Sequence, residues 1–201
     1  MYPAIKRILD CAVAIVLLLL LSPLVGLIAL LIFFVDGRPI FFRQVRPGLF
    51  ETPFVMVKFR TMSPDPVAGN GDESERVTNL GSLLRKTSID ELPSLWNVVR
   101  GDLSFVGPRP LLMEYLELYS PRHAARHSVR PGLTGLAQVA GRNLVSWRDR
   151  LDLDTVYVEQ HSLWLDLKIL FHTITVVLSF RGINQADGST MKRLTKGYDT
   201  E

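Results

Sequence analysis

The chain has 201 residues, the length of one domain, and its net charge of +3 is too small to favour a nucleic-acid partner. With 21% charged and 9% aromatic residues, its composition is that of a folded protein and excludes a disordered or collagen-like chain. Cys11 is the single cysteine, so no intramolecular disulfide can form, and a reducing compartment is expected for the soluble part.

An apolar run covers residues 11–35, which contain no charged side chain. As one straight helix this run would extend about 37 Å, enough to cross a ~30 Å hydrocarbon core. Pro23, after Ser22, removes a backbone donor at its centre and Gly26 weakens the helix further, which leaves two halves too short to span alone. We therefore expect residues 1–36 to form a membrane anchor whose helix breaks at Ser22-Pro23.

Basic residues flank the run on both sides, with Lys6 and Arg7 before it and Arg38, Arg43 and Arg46 after it. Positive charge favours the cytoplasmic side of a membrane, so both ends are expected on that side. The sequence thus favours a re-entrant helix that returns to the leaflet it entered. A plain kinked crossing is the alternative, since membrane helices tolerate proline, and the lack of a small-x-small cleavage site disfavours a secretory signal peptide.

The soluble part opens with two strands predicted within residues 40–60, on either side of Pro47-Gly48. This pattern indicates a β-hairpin. Residues 63–79 have the proline, glycine and acidic content of a mobile loop, which is equally compatible with a lid over a site or with an idle connection.

Helical spacing then dominates, so the predicted fold class is α+β, mainly helical with a small β-hairpin. Helices are expected at three places: 80–86, 91–100 and near 111–119. The glycine-rich stretch 130–143 should be mostly loop. From Asp149 to Phe180 helical spacing returns, and this stretch is apolar enough for a core helix or for an amphipathic helix lying on the membrane surface. Residues 182–201 form a polar tail, expected to be loosely held.

Asp90 and Glu91 are the first candidates for chemistry. Ser88-x-x-Glu91 fits a capping box, so on spacing alone the two acids could simply begin a helix. A carboxylate near a helix start can instead take part in covalent catalysis or hold a divalent cation beside a phosphate. Adjacent helical residues diverge by ~100°, so we expect different roles for the two, one as nucleophile and the other as base or orienting group.

Cations beside rigid backbone are the second set of candidates. Arg109 lies between two prolines, which lets its guanidinium be aimed at little entropic cost, and phosphate is its natural target. Lys58, Arg60 and Arg142 are similar cations on a strand or beside a tight turn. Each taken singly is more often a solvated or structural charge. Together with the acidic pair they indicate a pyrophosphate site, because phosphoryl transfer needs positioned cations and a metal.

Two further patterns are weaker. Asp152-Leu153-Asp154 is a D-x-D of the kind that binds a metal in many nucleotide-sugar glycosyltransferases, but so short a pattern recurs by chance. His123 and His127 are four residues apart among arginines, and a solvated basic surface is expected there. The sequence contains no G-x-G-x-x-G, G-x-x-x-x-G-K-[ST], H-E-x-x-H or G-x-S-x-G, which argues against dehydrogenases, P-loop kinases, zincins and serine hydrolases.

Longer motifs run along nearly the whole chain. They are the Ser22-Pro23 break, Arg46-Pro47-Gly48, KFRTM from Lys58 to Met62, LRKTSIDELP from Leu84 to Pro93, GDLSFVGPRP from Gly101 to Pro110, RPGLTG from Arg130 to Gly135, Gln138 and Gly141-Arg142-Asn143. By these very specific motifs the chain resembles the bacterial polyprenyl-phosphate sugar-phosphate transferases, also called monotopic phosphoglycosyl transferases. With one apolar segment it looks like the small form that consists of the catalytic core alone.

The resemblance implies a two-step exchange at the inner membrane, with residues 37–201 as a cytoplasmic catalytic domain. The donor would be a UDP-sugar and the acceptor undecaprenyl phosphate, in the first membrane step of glycoconjugate or exopolysaccharide assembly. Asp90 would attack the donor's β-phosphate and release UMP, leaving a sugar-phosphate on its carboxylate, with Glu91 assisting. Mg²⁺ beside Asp90 would neutralise the phosphates, and the acceptor phosphate would then take over the sugar-phosphate.

The family's basic positions fall on Lys58, Arg85, Arg109 and Arg142, which the resemblance assigns to substrate phosphates. Ser94 stands where glutamine is frequent in the family, a departure expected to affect local contacts only. Two other functions stay open: a membrane-anchored D-x-D glycosyltransferase that releases UDP, and a non-enzymatic membrane-tethered interaction module. The motifs specify neither the donor's sugar nor the oligomeric state.

Overall fold

The computed structural model describes residues 2–64, 76–141, 145–179 and 193–198. Its first element is the α-helix α1, Tyr2–Val35. Among the described residues, α1 is the one helix long and apolar enough to cross a membrane, by length and composition. The expected apolar N-terminal helix is therefore confirmed.

Helical conformation runs through Ser22 and Pro23, contrary to the prediction of a break there. Pro23 has no N–H to offer the carbonyl of Leu19, four residues earlier, but the Ser22 hydroxyl donates to that carbonyl oxygen at 2.8 Å. The carbonyl thus keeps a partner without the chain leaving the helix. Such a replacement matters in lipid, where no water takes the place of a lost hydrogen bond.

Both ends of α1 pack into the rest of the chain. Near the N-terminus, Ala14 is fully buried in a core cluster with Val98 and Leu103. Near the C-terminus, Ile32 is fully buried in a second cluster that contains Phe59. The middle of the helix is exposed, and α1 therefore contributes to the domain core through its two ends only.

Polar contacts tie the N-terminal end of α1 to the domain. The Arg7 guanidinium donates to the carbonyl oxygens of Val98 and Val99 at 2.6 and 2.7 Å. Ser104 donates to the Asp10 carboxylate at 2.7 Å. Three further donors converge on the buried carboxylate of Asp166, namely Tyr2, Lys6 and Tyr157. Because these contacts are specific in direction, the helix is held in one orientation against the domain.

The predicted β-hairpin is confirmed. Strand β1, Phe41–Pro47, pairs antiparallel with β2, Pro53–Phe59, and places Phe42 opposite Lys58. The turn is a 3-10 helix, Leu49–Glu51, closed by a hydrogen bond from the Gly48 N–H to the Thr52 carbonyl at 2.9 Å. A Cβ at position 48 would lie 2.9 Å from that same carbonyl oxygen, so glycine is required there.

The helical prediction holds at 80–86, where α2 spans Asn79–Lys86 and Thr78 caps its first turn. The helix expected at 91–100 begins earlier, as a 3-10 helix at Ile89–Ser94, and becomes α-helical only in α3, Leu95–Arg100. Pro93 lies inside that 3-10 helix, and in an α-helix its ring would clash with the carbonyl of the residue four positions earlier. The remaining helices are a 3-10 helix Met113–Leu118, α4 Pro121–Ala124, a 3-10 helix Ala125–Ser128, α5 Leu136–Gly141, α6 Trp147–Gln160 and α7 Leu163–Ser179.

A second, parallel strand pair was not predicted. Strand β3, Ser104–Val106, pairs with β4, Gly132–Thr134, so the expected loop at 130–143 is instead a strand followed by α5. A Cβ at Gly132 would lie 2.1 Å from the Gly107 nitrogen, so the two strands can approach this closely only with glycine there. The pairing brings the GDLSFVGPRP and RPGLTG motifs together.

Helix α7 is not a core helix, one of the two predicted alternatives. Ile169 and Asp166 are its buried side chains, whereas the apolar side chains of Leu163, Trp164, Leu167, Phe171, Ile174 and Leu178 are exposed. The helix therefore presents an apolar face that no described residue covers.

The predicted loop 63–79 and the predicted tail 182–201 lie partly outside the described residues. The loop's ends are closed by a bridge between Met62 and Val77, and residues 65–75 are not described. In the tail, Leu194 and Tyr198 are buried in a cluster with Leu111 and Leu151. This part of the tail therefore contributes to the core.

Candidate active site

The Asp90-Glu91 pair lies at the start of the 3-10 helix Ile89–Ser94. Ser88 precedes it with a left-handed backbone, φ 57°, and its side chain does not cap the helix. The carboxylate of Glu91 turns away from the helix start and accepts hydrogen bonds from other elements. The capping-box interpretation of Ser88-x-x-Glu91 is therefore wrong.

Glu91 is held between two cations. Its Oε1 accepts from Lys58 Nζ at 2.6 Å and from Arg109 Nη2 at 2.7 Å. Burial alone would raise the pKa of Glu91, but the charges of Arg109 and Lys58 outweigh burial and hold that pKa well below its usual range. A carboxylate that stays ionised is a poor proton acceptor, so Glu91 is suited to orienting the two cations and unsuited to acting as a base.

Asp90 has the opposite environment. Burial, and secondarily the negative charge of Glu91, raises the pKa of Asp90 to about 6, against the lowering effect of the nearby cations. Within the described part of the chain, no side chain or backbone group donates a hydrogen bond to the Asp90 carboxylate. The pair thus divides into a clamped anion and a neighbouring carboxylate whose oxygens remain available for chemistry.

Two buried polar side chains that the sequence did not reveal fix the strand of Lys58 against this helix. Ser94 Oγ donates to the Val57 carbonyl at 2.6 Å. Asn97 accepts from the Val57 N–H at 3.2 Å and donates to the Val55 carbonyl at 2.8 Å. Both side chains are almost fully buried. They bond the backbone on the free edge of β2 directly before Lys58, and so set the distance between Lys58 and Glu91.

The other predicted cations have different positions. Arg85 Nε donates to Thr61 Oγ1 at 2.8 Å, and its charge acts to lower the pKa of Asp90. Arg60 is buried and donates to the carbonyls of Asp36, Gly37 and Arg38, so it holds the turn after α1 and is not a phosphate ligand. Arg142 lies outside the described residues.

The D-x-D pattern does not form a metal site. Asp154 pairs with Arg126 at 2.8 Å, whereas Asp152 contacts Arg122 and His123 at 3.3 and 3.2 Å. Each carboxylate is thus directed to its own basic partner. Across the described ranges, no group of three His, Cys, Asp or Glu side chains could hold a metal ion.

His123 and His127 are not on a solvated basic surface, contrary to the prediction. Both are buried, the first against the ring of Tyr198 and the second against that of Tyr119. Burial, with the charge of Arg126, lowers the pKa of His127 to about 4. Burial and the charge of Arg126 thus keep His127 neutral at neutral pH.

Mg²⁺ prefers six oxygen ligands and is commonly held by one or two carboxylates together with waters and substrate phosphates. The Glu91 carboxylate is occupied by two cations, whereas no residue in the described ranges donates a hydrogen bond to the Asp90 carboxylate. The donor set therefore fits a magnesium ion held by Asp90 and by the phosphates of a substrate, and does not fit a site made of protein ligands alone.

The sequence model of a family described as bacterial sugar transferases matches residues 1–180. The chain belongs to the bacterial sugar transferase family. This confirms the resemblance drawn from the motifs, and the protein is an enzyme of the transferase class.

Three relatives show how far the similarity of this sugar transferase extends. It is 48% identical over 197 residues to an uncharacterised sugar transferase, EpsL, of Bacillus subtilis, covering 97% of this chain and 98% of that protein. It is 45% identical over 188 residues to a UDP-glucose:undecaprenyl-phosphate glucose-1-phosphate transferase of Caulobacter vibrioides, covering 87% and 70%. It is 42% identical over 196 residues to the exopolysaccharide production protein ExoY of Rhizobium meliloti, covering 88% and 87%.

Proposed function

We propose that this sugar transferase moves a sugar-1-phosphate from a UDP-sugar to undecaprenyl phosphate and releases UMP. The reaction named for the Caulobacter relative supports this substrate pair. The observation that carries the proposal is the contrast within the acidic pair, in which Glu91 is clamped by two cations while the Asp90 carboxylate is available. A nucleophile beside cations is what a covalent phosphoryl transfer requires.

In the first step, an Asp90 oxygen attacks the β-phosphorus of the donor. The bond from that phosphorus to the bridging oxygen breaks, UMP leaves with the electron pair, and a sugar-phosphoryl aspartate remains. In the second step, an oxygen of the acceptor phosphate attacks the same phosphorus. The aspartate carboxylate leaves, and the product is a polyprenyl-diphospho-sugar. No net oxidation, reduction or loss of water is needed.

The cations of the site have donors to spare for these phosphates. Lys58 has three N–H donors and Arg109 has five, and each uses one on Glu91. Glu91 thus fixes the direction of both side chains, while their remaining donors stabilise charge on the phosphoryl group. Bound Mg²⁺, held by Asp90 and the phosphates, would supply further neutralisation of that charge.

The identity of the released nucleotide tests the proposal. We expect the full chain in membranes, given a panel of UDP-sugars, undecaprenyl phosphate and Mg²⁺, to release UMP and to form a lipid-linked sugar diphosphate. A D-x-D glycosyltransferase would transfer the sugar alone and release UDP. Chromatography of the nucleotide products distinguishes the two, and release of neither nucleotide from any donor would favour an interaction module.

The pH dependence should report the acidic pair. Asp90 acts as the anion, so kcat/KM of the wild type is expected to fall as the pH drops through about 6. Glu91→Gln removes a negative charge that raises the pKa of Asp90, so the acid limb of its pH profile should move to lower pH. Because the two cations lose their orienting group, activity at pH 8 should also fall by about 10²-fold. An acid limb that stays in place would contradict this assignment of the pair.

We further propose that α1 enters and leaves the same membrane leaflet, with a bend at Ser22-Pro23. Its two ends contact the domain, but Leu19 and Leu20 in its middle are 72% and 70% exposed. Burial of the two ends together with exposure of the middle supports a bend that carries the middle of α1 away from the protein. The exposed apolar face of α7 would then lie on the same membrane surface.

Cysteine labelling tests this topology. In a Cys11→Ala background, Ala4→Cys and Glu51→Cys place single thiols at exposed positions in the first turn of α1 and at the hairpin turn. Both should resist a membrane-impermeant reagent in intact cells and react once the cells are permeabilised. Labelling of position 4 alone in intact cells would show that α1 crosses the bilayer.

A further inference from the structure

Arg46 is a cation beside Arg109 of the active site and has no counter-charge among the residues that the structure describes. It is partly buried on β1, and within the described residues its guanidinium makes one hydrogen bond, from Nη2 to the neutral amide oxygen of Gln44 at 2.5 Å, and no ion pair. Its Nε is buried and has no hydrogen-bond partner in the part of the chain that the structure describes. A buried guanidinium N–H that lacks a partner is costly to the protein unless a ligand satisfies it.

The neighbourhood of Arg46 adds to that cost. Burial, and then the positive charge of Arg109, lowers the pKa of Arg46 to about 10, so it stays charged at neutral pH. Arg109 is the same residue that clamps Glu91. Two like charges held together in a partly buried place are unfavourable in the absence of ligand, and a bound anion would relieve both their repulsion and the unmet donor.

The position of Arg46 along the hairpin indicates which anion this is. Arg46 shares a face of the hairpin with Phe42 and Lys58, because β1 residues alternate and Phe42 is opposite Lys58. The Lys58 end adjoins the end of α1, where Arg60 binds the carbonyl of Asp36 at 2.6 Å. Arg46 is four residues beyond Phe42 on β1, and so lies about 13 Å from the end of the strand that adjoins α1.

We infer that Arg46 is a binding residue for the diphosphate of the UDP-sugar and contacts the phosphate that leaves with the nucleotide. This inference rests on the proposed function. The acceptor's phosphate is confined to the membrane surface, at the end of the hairpin that adjoins α1, whereas the donor arrives from solution and can extend toward the turn. Arg46 and Arg109 then form one cationic face for the two phosphates of the donor.

Arg43 supplies a matched control. It is exposed and lies on the opposite face of the same strand, so Arg43→Gln removes the same charge without touching the site. For the full chain in membranes, Arg46→Gln should raise the KM for the UDP-sugar by about 10- to 100-fold and the inhibition constant of UMP by a similar factor. The KM for undecaprenyl phosphate should stay within about twofold of wild type. Arg43→Gln should change neither constant, and Arg46→Lys should recover part of the donor affinity.

The outcomes separate this inference from the proposed function. A rise in the KM for undecaprenyl phosphate with an unchanged donor KM would assign Arg46 to the acceptor and overturn the inference, as would unchanged constants in both variants. If Arg46→Gln fails to fold, Arg46→Lys tests the inference instead. A KM for the UDP-sugar in Arg46→Lys equal to that of the wild type would argue against a directed guanidinium contact. If the wild type releases no UMP, the proposed function fails. Calorimetric titration with UDP then tests Arg46 by itself. Equal affinity of the wild type and Arg46→Gln for UDP would overturn the inference.

Discussion

Replacement of Asp90 by asparagine should abolish turnover and at the same time stabilise the protein. An amide is a poor nucleophile and a poor ligand for a hard cation, so activity should fall by about 10⁴-fold or more. The carboxylate has its pKa raised from 3.8 to about 6 in the folded protein, so the folded state binds that proton more tightly than the unfolded state. Above pH 6 the ionised group therefore costs stability, and the amide removes that cost.

The gain in stability should be about 1–2 kcal/mol at pH 8, once the partial exposure of Asp90 is taken into account. It should diminish as the pH falls through 6 and vanish below the ordinary pKa of an aspartate, since the wild-type carboxyl is then neutral in both states. Denaturation of wild type and Asp90→Asn in the same detergent at pH 8 and pH 4 measures this difference.

The covalent step is tested on the same pair of proteins. Wild type given donor without acceptor should release at most one UMP per site and add one sugar-phosphate mass to the peptide that contains Asp90. Glu91→Gln keeps the nucleophile and should still form the adduct, more slowly. A wild-type protein without the adduct on rapid quenching, together with turnover by Asp90→Asn, would make this carboxylate a structural group.

Loss of the Arg126 to Asp154 ion pair should produce the largest loss of stability. The two side chains are 1% and 2% exposed, and Arg126 donates to Asp154 through Nε at 3.1 Å and Nη2 at 2.8 Å. Arg126→Met leaves a buried carboxylate without its cation, so we expect a loss of about 3–5 kcal/mol. Arg126 Nη2 also donates to the Arg109 carbonyl at 2.6 Å, so activity should fall with stability.

Asp152→Asn is the matched control for this pair. Asp152 is two residues away and contacts the exposed Arg122 and the ring of His123. Asparagine keeps a side-chain oxygen at this position, so the change should cost less than about 1 kcal/mol and leave activity near wild type. The double variant Arg126→Met with Asp154→Leu should recover much of the stability, because it removes both buried charges. A D-x-D metal site would instead make both aspartates necessary for activity and neither necessary for folding, which denaturation and turnover measurements would reveal.

The parts of the fold that the sequence predicted are those set by local periodicity. The apolar run predicted α1, the turn residues between two apolar strands predicted the hairpin, and helical spacing predicted α2. Such patterns reflect which face of an element is buried, and neighbouring residues record this directly. Pro93 misled the prediction of the next helix, since helical spacing does not distinguish α from 3-10 winding.

The parts that the sequence did not predict depend on contacts between distant residues. Glu91 meets Lys58 and Arg109 from two other elements, so no local pattern distinguished a clamped carboxylate from a capping box. The β3 and β4 pairing likewise joins segments that are remote in sequence. Asn97 forms hydrogen bonds with the backbone of a strand. Because every sequence carries the same backbone groups, no residue pattern indicated this contact.

The burial of both ends of α1 in the domain makes the lipid bilayer a ligand of the folded state. Ala14 and Ile32 belong to the same cores as Val98 and Phe59, so α1 cannot leave the domain without opening it. By thermodynamic linkage, lipid therefore changes the stability of the whole domain by the difference between its interaction free energy with α1 in the folded protein and in the unfolded chain. Because α1 is packed into the domain and not joined to it by a flexible linker, the depth of the helix in lipid sets the height of Asp90 above the membrane.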